Sequence, residues 1–205
     1  IVRLGNRFAD NAAVVLLAAS LLNGGTTTLK RMPHIEEVNR LIEVMRSIGV
    51  TIDWKGDDMV ITPPPRFDLG KIDRAAAEKT RSIAMFIGPL AHLCGSFDLP
   101  APTGCDLGKR SLGSHIDALS RLGIVISGDE EKHTYHVEVA NKKPAEIIMY
   151  EASDTGVENV LMAAAKTPGT TTIKFASANY MVQDLCVFLE SCGVKIEGVG
   201  TSTLV

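Results

Sequence analysis

The residue of this chain best suited to bond-making chemistry is Cys105. Its neighbours are Gly104, Asp106, Gly108, Lys109 and Arg110, and the segment before it is rich in proline and small residues. A free thiol ionises near pH 8.5, and adjacent cations lower that value. Lys109 and Arg110 act in this direction, while Asp106 opposes them. A glycine-bracketed cysteine on a polar loop is a candidate acid or nucleophile. The alternative is an incidental surface thiol.

Two arginines belong with it. Arg81 precedes an apolar run, Ser82–Leu93, where a guanidinium and a helix N-terminus together hold an anion. A solvated cap arginine is the plainer reading. Arg110 offers a second guanidinium beside the thiol. Two arginines and a cysteine suggest a phosphate or carboxylate ligand. His115, which starts a helix just after the loop, is the one histidine expected near the site; a solvated first-turn histidine is its alternative. Asn11 either caps the first helix or faces a ligand. Ser153-Asp154-Thr155 reads first as an N-cap, with Glu158 as the capping-box partner of Thr155. His133 and His136, three apart on an expected strand, make a poor metal pair. No metal or cofactor is expected.

The elements that position these residues come from a threefold repeat. Gly25 to Ile52 reads GTTTLKRMPHIEEVNRLIEVMRSIGVTI, and Gly169 to Ile196 reads GTTTIKFASANYMVQDLCVFLESCGVKI. The middle copy, Gly95 to Ile126, reads GSFDLPAPTGCDLGKRSLGSHIDALSRLGIVI. The anchor glycines are 24 apart in the outer copies (Gly25 and Gly49, Gly169 and Gly193) and 28 apart in the middle one (Gly95 and Gly123). The four extra residues fall around Pro102–Arg110. A repeat that breaks its period at one polar place marks where function was added to a scaffold. The segment 101–112 is expected to act as a mobile lid.

Each unit predicts an apolar inner helix (Asn11–Leu22, Ala75–Cys94, Thr155–Lys166), a glycine turn and a short strand. An amphipathic outer helix follows, as in Ile35–Ile48, where Val38, Leu41, Ile42 and Met45 share a face. Then come two more strands, Val50–Trp54 and Met59–Thr62 in unit one, Ile124–Ser127 and His133–Val139 in unit two. Unit three ends at Thr201–Val205. The units span about 8–65, 66–143 and 144–205. The inner helices should pack together, with small sheets and outer helices around them. The fold class is therefore α/β with an internal three-fold repeat of helix-strand-helix-strand-strand units.

Composition narrows the partners. The net charge is −3 and no Lys/Arg run exists, which argues against a nucleic-acid surface. Hydrophobic residues make up 45% and aromatics 5%, so the core must be aliphatic. The longest apolar stretch, Ala12 to Leu22, is too short to span a bilayer, and no secretory leader is expected. The start at Ile1 rather than methionine suggests a processed or excised piece. Cys94, Cys186 and Cys192 read as small buried hydrophobes in a reducing cytoplasm.

The run Leu99-Pro100-Ala101-Pro102-Thr103-Gly104-Cys105-Asp106-Leu107-Gly108-Lys109-Arg110, with His115 and Ala118–Gly123 after it, resembles a known catalytic loop. It is that of the UDP-N-acetylglucosamine 1-carboxyvinyltransferases, a family of enolpyruvyl transferases. Thr80-Arg81-Ser82-Ile83 with Gly88-Pro89-Leu90 resembles the family's phosphoenolpyruvate-arginine helix. Asn11-Ala12-Ala13 and Glu158-Asn159-Val160-Leu161-Met162-Ala163-Ala164 resemble two more of its signatures. The likeness spans essentially the whole chain. The Gly-Cys loop is specific to this family; the repeats alone equally fit shikimate-phosphate synthases and RNA terminal phosphate cyclases.

The resemblance implies an "inside-out" α/β enzyme of two domains, with this chain the domain that carries the cysteine loop. It implies transfer of the enolpyruvyl group of phosphoenolpyruvate to the 3′-hydroxyl of UDP-N-acetylglucosamine. That is the first committed step of peptidoglycan synthesis, a cytoplasmic reaction on which cell shape and division depend. Cys105 would be the acid that also adds to phosphoenolpyruvate. Arg81 and Arg110 would bind phosphoenolpyruvate, and Asn11, His115 and Ser153 would lie at the sugar nucleotide. The implied partners are those two small molecules and a second enolpyruvyl transferase domain, with neither nucleic acid nor membrane. The chain departs from the family pattern at Asp10 and Glu151, where the family has lysines. It departs also at Gly113 for an aspartate that recognises uracil, Ser111 for proline, Thr155 for glycine and Met85 for an aromatic. These departures keep two alternatives open: a non-catalytic nucleotide-sugar or partner-binding domain of the same fold, or an enolpyruvyl transferase with another acceptor.

Overall fold

An apolar helix that shows no polar face has to be interior, and α1 (Asp10–Ser20) is: from Ala12 to Ala19 every residue is buried. The structure, a computed structural model, describes residues 10–102 and 112–205, with Asp10 and Asn11 described as backbone. After α1 come β1 (Thr27–Leu29), the amphipathic α2 (Glu36–Ser47), β2 (Thr51–Lys55) and β3 (Asp58–Thr62). These strands form an antiparallel sheet of order β1-β3-β2. Next come α3 (Arg74–Ala77), a 3-10 helix (Arg81–Phe86), α4 (Ile87–Leu90), β4 (Ser96–Pro100), α5 (Gly113–Arg121), β5 (Ile124–Asp129) and β6 (Thr134–Val139). The second sheet repeats the first, with order β4-β6-β5. The last stretch is β7 (Glu146–Ile148), α6 (Asp154–Ala164), β8 (Thr172–Lys174), α7 (Tyr180–Ser191) and β9 (Thr203–Leu204).

The interior is built from α1, the 3-10 helix with α4, and α6, which contact one another, while α2, α5 and α7 cover them with one face each. This is the α/β architecture expected from the repeat. Its glycines keep the same conformation: Gly49, Gly123 and Gly193, each just past an outer helix, have φ of 101°, 82° and 94°. A residue with a side chain is strained there, and glycine is not.

Three expectations fail. The inner helix over Ala75–Cys94 is broken into α3, the 3-10 helix and α4. Thr80 is extended and its hydroxyl accepts a bond from the Ser82 backbone N–H (3.2 Å), which ends one helix and starts the next. Gly88 and Pro89 then sit where α4 meets α6; a Cβ on Gly88 would stand 2.6 Å from the Asn159 carbonyl oxygen. The third sheet differs as well. No strand forms over 194–196; Gly198 and Gly200 turn the chain, and β9 is reduced to two residues. The sheet instead recruits β7, parallel to β8, from before the inner helix. Finally, His133 is not in a strand but in the turn before β6, with φ 48°.

Candidate active site

The inner elements all begin at one pole, because the repeat runs them in the same direction. Val14 of α1, Arg81, Ser82 and Met85 of the 3-10 helix, and Asp154, Thr155 and Glu158 of α6 line one cavity of about 360 Å³ there. Outer elements complete its wall: Glu37 of α2, His115 of α5, Tyr135 of β6 and Met181 of α7. Pro102 and Leu112 also line it. They flank the segment that carries Cys105 and Arg110, and these two residues, with the expected lid, lie outside the described residues.

Arg81 is set by its own turn. The Glu37 carboxylate, reaching in from α2, accepts bonds from the hydroxyls of Thr80 (3.3 Å) and Ser82. That clamp fixes the extended Thr80 and hence the first turn from which Arg81 projects. Arg81 opens a six-residue 3-10 helix rather than the long α-helix expected.

The start of α6 is equally determined. Ser153 caps it by accepting the Gly156 backbone N–H at 3.0 Å. Its hydroxyl also receives a bond from Ser114 of α5 (3.3 Å), and Ser153 does not reach the cavity wall. The Asp154 carboxylate takes bonds from Ser177 and from Asn179 (2.9 Å). The expected capping box between Thr155 and Glu158 does not form, because the cap lies two residues earlier. Glu158 points to the cavity instead. It is 3% exposed, and its Oε1 has no hydrogen-bond partner among the described residues. Burial, helped by the nearby Asp154 charge, pushes its carboxyl up to about 8.

His115 is 6% exposed, not a solvated first-turn residue. Its Nδ1 faces Asn159 Nδ2 at 3.0 Å and its Nε2 faces Thr155 Oγ1 at 3.2 Å. Asn159 also donates to the Ala84 carbonyl (2.7 Å) and accepts from the Gly88 N–H (2.7 Å), so its amide orientation is fixed by two backbone groups. His115 Nδ1 is therefore the acceptor, and Nε2–H donates to Thr155. Burial pushes this imidazole down to about 4, so it is neutral near pH 7. Asn11 lies in the first turn of α1 at the same pole.

Sequence reasoning missed Glu37, Glu158 and Asn159 as parts of the site. Glu158 and Asn159 stood in one of the runs that resemble the family, without a role at the cavity being assigned to either; Glu37 carried no signal. It also misjudged Cys192, which is exposed at the end of α7, and Cys94, which is half-buried; Cys186 is fully buried.

A larger depression of about 700 Å³ lies at the opposite pole, where the inner elements end, lined by Leu22, Pro64, Leu93, Cys94 and Lys166 among others. The smaller cavity is the better candidate for chemistry, because it gathers an arginine, a histidine and three acids and adjoins the cysteine segment. No described helix is long and apolar enough to cross a membrane.

Comparison with known proteins agrees with this architecture. UDP-N-acetylglucosamine 1-carboxyvinyltransferase of Bradyrhizobium diazoefficiens is 32% identical over 195 residues, which is 95% of this chain and 44% of that protein. The enzyme of the same name from Thermobifida fusca is 35% identical over 199 residues, 94% of this chain and 46% of that one. Among solved structures, the enolpyruvyl transferase NikO from Streptomyces tendae superposes with a TM-score of 0.81 at 19% identity, over 99% of this chain and 47% of that one. EPSP synthase from Acinetobacter baumannii gives 0.72 at 15% identity. The chain thus spans about half the length of the curated relatives it matches. Residues 8–205 match the family model of EPSP synthase (3-phosphoshikimate 1-carboxyvinyltransferase), and the chain belongs to that family.

Proposed function

We propose that this chain forms the cysteine-loop half of a carboxyvinyltransferase. In this reading it moves the enolpyruvyl group of phosphoenolpyruvate to the 3′-hydroxyl of UDP-N-acetylglucosamine and releases phosphate. The observation that carries the reading is the cavity that holds Arg81 and is flanked by Pro102 and Leu112 on either side of Cys105. Arg81 and Arg110 hold the anionic groups of phosphoenolpyruvate. Cys105 supplies the proton and adds to the ligand. Asn11 and His115 line the sugar-nucleotide side, His115 as a neutral group whose orientation Asn159 and Thr155 fix, while Ser153 contributes only by capping α6. A second domain of the same family supplies the facing wall.

The names of the relatives support the acceptor. Asp10 and Glu151 favour a second reading, in which the same fold binds another acceptor or a partner without catalysis, because each stands where the resembling enzymes have a lysine. Protection mapping tests the main reading. Phosphoenolpyruvate should slow iodoacetamide labelling of Cys105, and Arg81→Ala should abolish the protection. Labelling at an unchanged rate would overturn it.

A further inference from the structure

Glu158 is the one polar side chain of the described cavity wall that is nine-tenths buried and has an oxygen without a partner. A buried carboxyl in that condition costs free energy whichever form it takes, and the cost is far smaller for the neutral form. Its surroundings sharpen this. Glu37 from α2 and Asp154 from α6 face the same cavity, Arg81 is the cation of the 3-10 helix, and His115 of α5 is neutral. Val14, Met85 and Met181 are apolar, and Tyr135 of β6 brings a phenol. Among the described wall residues, Arg81 stands with two carboxylates when Glu158 is neutral and with three when it is ionised.

We infer that Glu158 is a proton-linked gate on oxyanion binding: as a neutral acid it donates to a carboxylate or phosphoryl oxygen held at Arg81, and as a carboxylate it repels that oxygen. This rests on the oxyanion site of the proposed function and adds a specificity-determining residue to it. A bound anion beside Glu158 raises its proton affinity further, so binding above neutral pH draws up to one proton from solvent into the Glu158 carboxyl. Burial holds its carboxyl at about 8, so roughly half the molecules take up a proton on binding at pH 8. The phosphate of the ligand, with a second ionisation near pH 6, is already fully charged there.

Calorimetry of phosphoenolpyruvate binding, at pH 8 in two buffers of different ionisation enthalpy, reads this uptake. The chain carries Cys105→Ser so that no reactive thiol titrates. We expect uptake of about half a proton, and an affinity that falls up to tenfold per pH unit above pH 8. Glu158→Gln, which stays neutral and keeps a donor, should bind with no uptake and a flat pH profile from 7 to 9. Binding with no uptake, or with uptake that survives Glu158→Gln, overturns the inference and leaves the oxyanion site standing. Inorganic phosphate and pyruvate, titrated separately, show which oxyanion faces Glu158. Uptake with either of them but no binding of phosphoenolpyruvate keeps the inference and sinks the enolpyruvyl reading; no binding of any of the three overturns both. Should the glutamine variant not fold, the infrared carbonyl band of protonated carboxyl in the Cys105→Ser protein should grow on addition of phosphoenolpyruvate at pH 8. An unchanged band overturns the inference.

Discussion

Asn159 holds His115 from behind: its Nδ2 stands 3.0 Å from the imidazole Nδ1, while its other amide contacts tie α6 to Ala84 and Gly88. One side chain thus joins two inner elements and sets the tautomer of a histidine on the cavity wall. Asn159→Ala leaves the Gly88 N–H and the His115 ring nitrogen without these partners, while the Ala84 carbonyl keeps the bond from the Ile87 N–H. At about 1–3 kcal/mol for each unsatisfied group, a loss of roughly 2 kcal/mol or more is expected in urea unfolding. Gly88→Ala should destabilise comparably, since its Cβ meets the Asn159 backbone, which cannot give way as a flexible side chain would.

Stability should peak near pH 6.5. Glu158 keeps its proton in the fold up to about 8, whereas an unfolded glutamate loses it near 4.5. Between those values the native state holds the extra proton, so stability falls as pH rises. His115 and His92 behave in the opposite sense. Burial pushes both to about 4 from 6.5, with Lys142 beside His92 adding to its shift. Between about 4 and 6.5 the unfolded state holds their extra protons, so stability rises with pH. Two histidines outweigh one glutamate in the overlap, and only Glu158 acts above it. Denaturation at pH 5, 6.5 and 8 should therefore show a maximum in the middle, and Glu158→Gln should remove the decline from 6.5 to 8. A profile that keeps rising to pH 8 would contradict the burial of Glu158.

Cys105 should be the fastest thiol to react with iodoacetamide. Burial raises the thiols of Cys94 and Cys186, that of Cys186 to about 12, and partial desolvation against the end of α7 raises that of Cys192 although its residue is exposed, so each carries little thiolate near neutral pH. Cys105 has Lys109 and Arg110 beside it in sequence, which favours thiolate. Mass-spectrometric mapping after brief labelling at pH 7.5 should find the adduct there. First labelling at exposed Cys192 would mean that access rather than ionisation decides the rate.

The outer architecture was legible because hydrophobic period and glycine punctuation carry it: α2 falls where Val38, Leu41, Ile42 and Met45 recur, and Gly49 ends it. The broken inner helix was not legible. Ala75–Cys94 carries a polar stretch, Glu78–Ser82, that a helix could also accommodate, and the break depends on Glu37, some 43 residues away, clamping the hydroxyl of Thr80. Glu158 was misread for the same reason. Locally it completes a capping-box pattern, and only the cap at Ser153 and the packing around α6 send it into the cavity. Arg81 and His115 were chosen for chemistry their types can do, and both face the cavity; Ser153 was chosen likewise, and its hydroxyl is spent on the helix cap.

The 205-residue chain should bind UDP-N-acetylglucosamine weakly and should not release phosphate from it and phosphoenolpyruvate. Enolpyruvyl transfer of the proposed kind relies on closure around the substrates, which excludes water and assembles charge from both sides. In the proposed reading this chain, which spans about half the length of its relatives, forms one wall of the site. Glu151 is exposed three residues before α6, and Asp10 is the first residue of α1, which starts at the same pole. In the proposed reading each is an acid at a position where the resembling enzymes carry a lysine. At partly screened separations each such reversal is worth on the order of 1 kcal/mol against a diphosphate. Asp10→Lys with Glu151→Lys should therefore tighten UDP-N-acetylglucosamine binding by at least tenfold in calorimetry, and more at low salt than at high. An affinity unchanged by both reversals would mean that the diphosphate does not lie at this pole, and the sugar-nucleotide reading of Asn11 and His115 would fall with it.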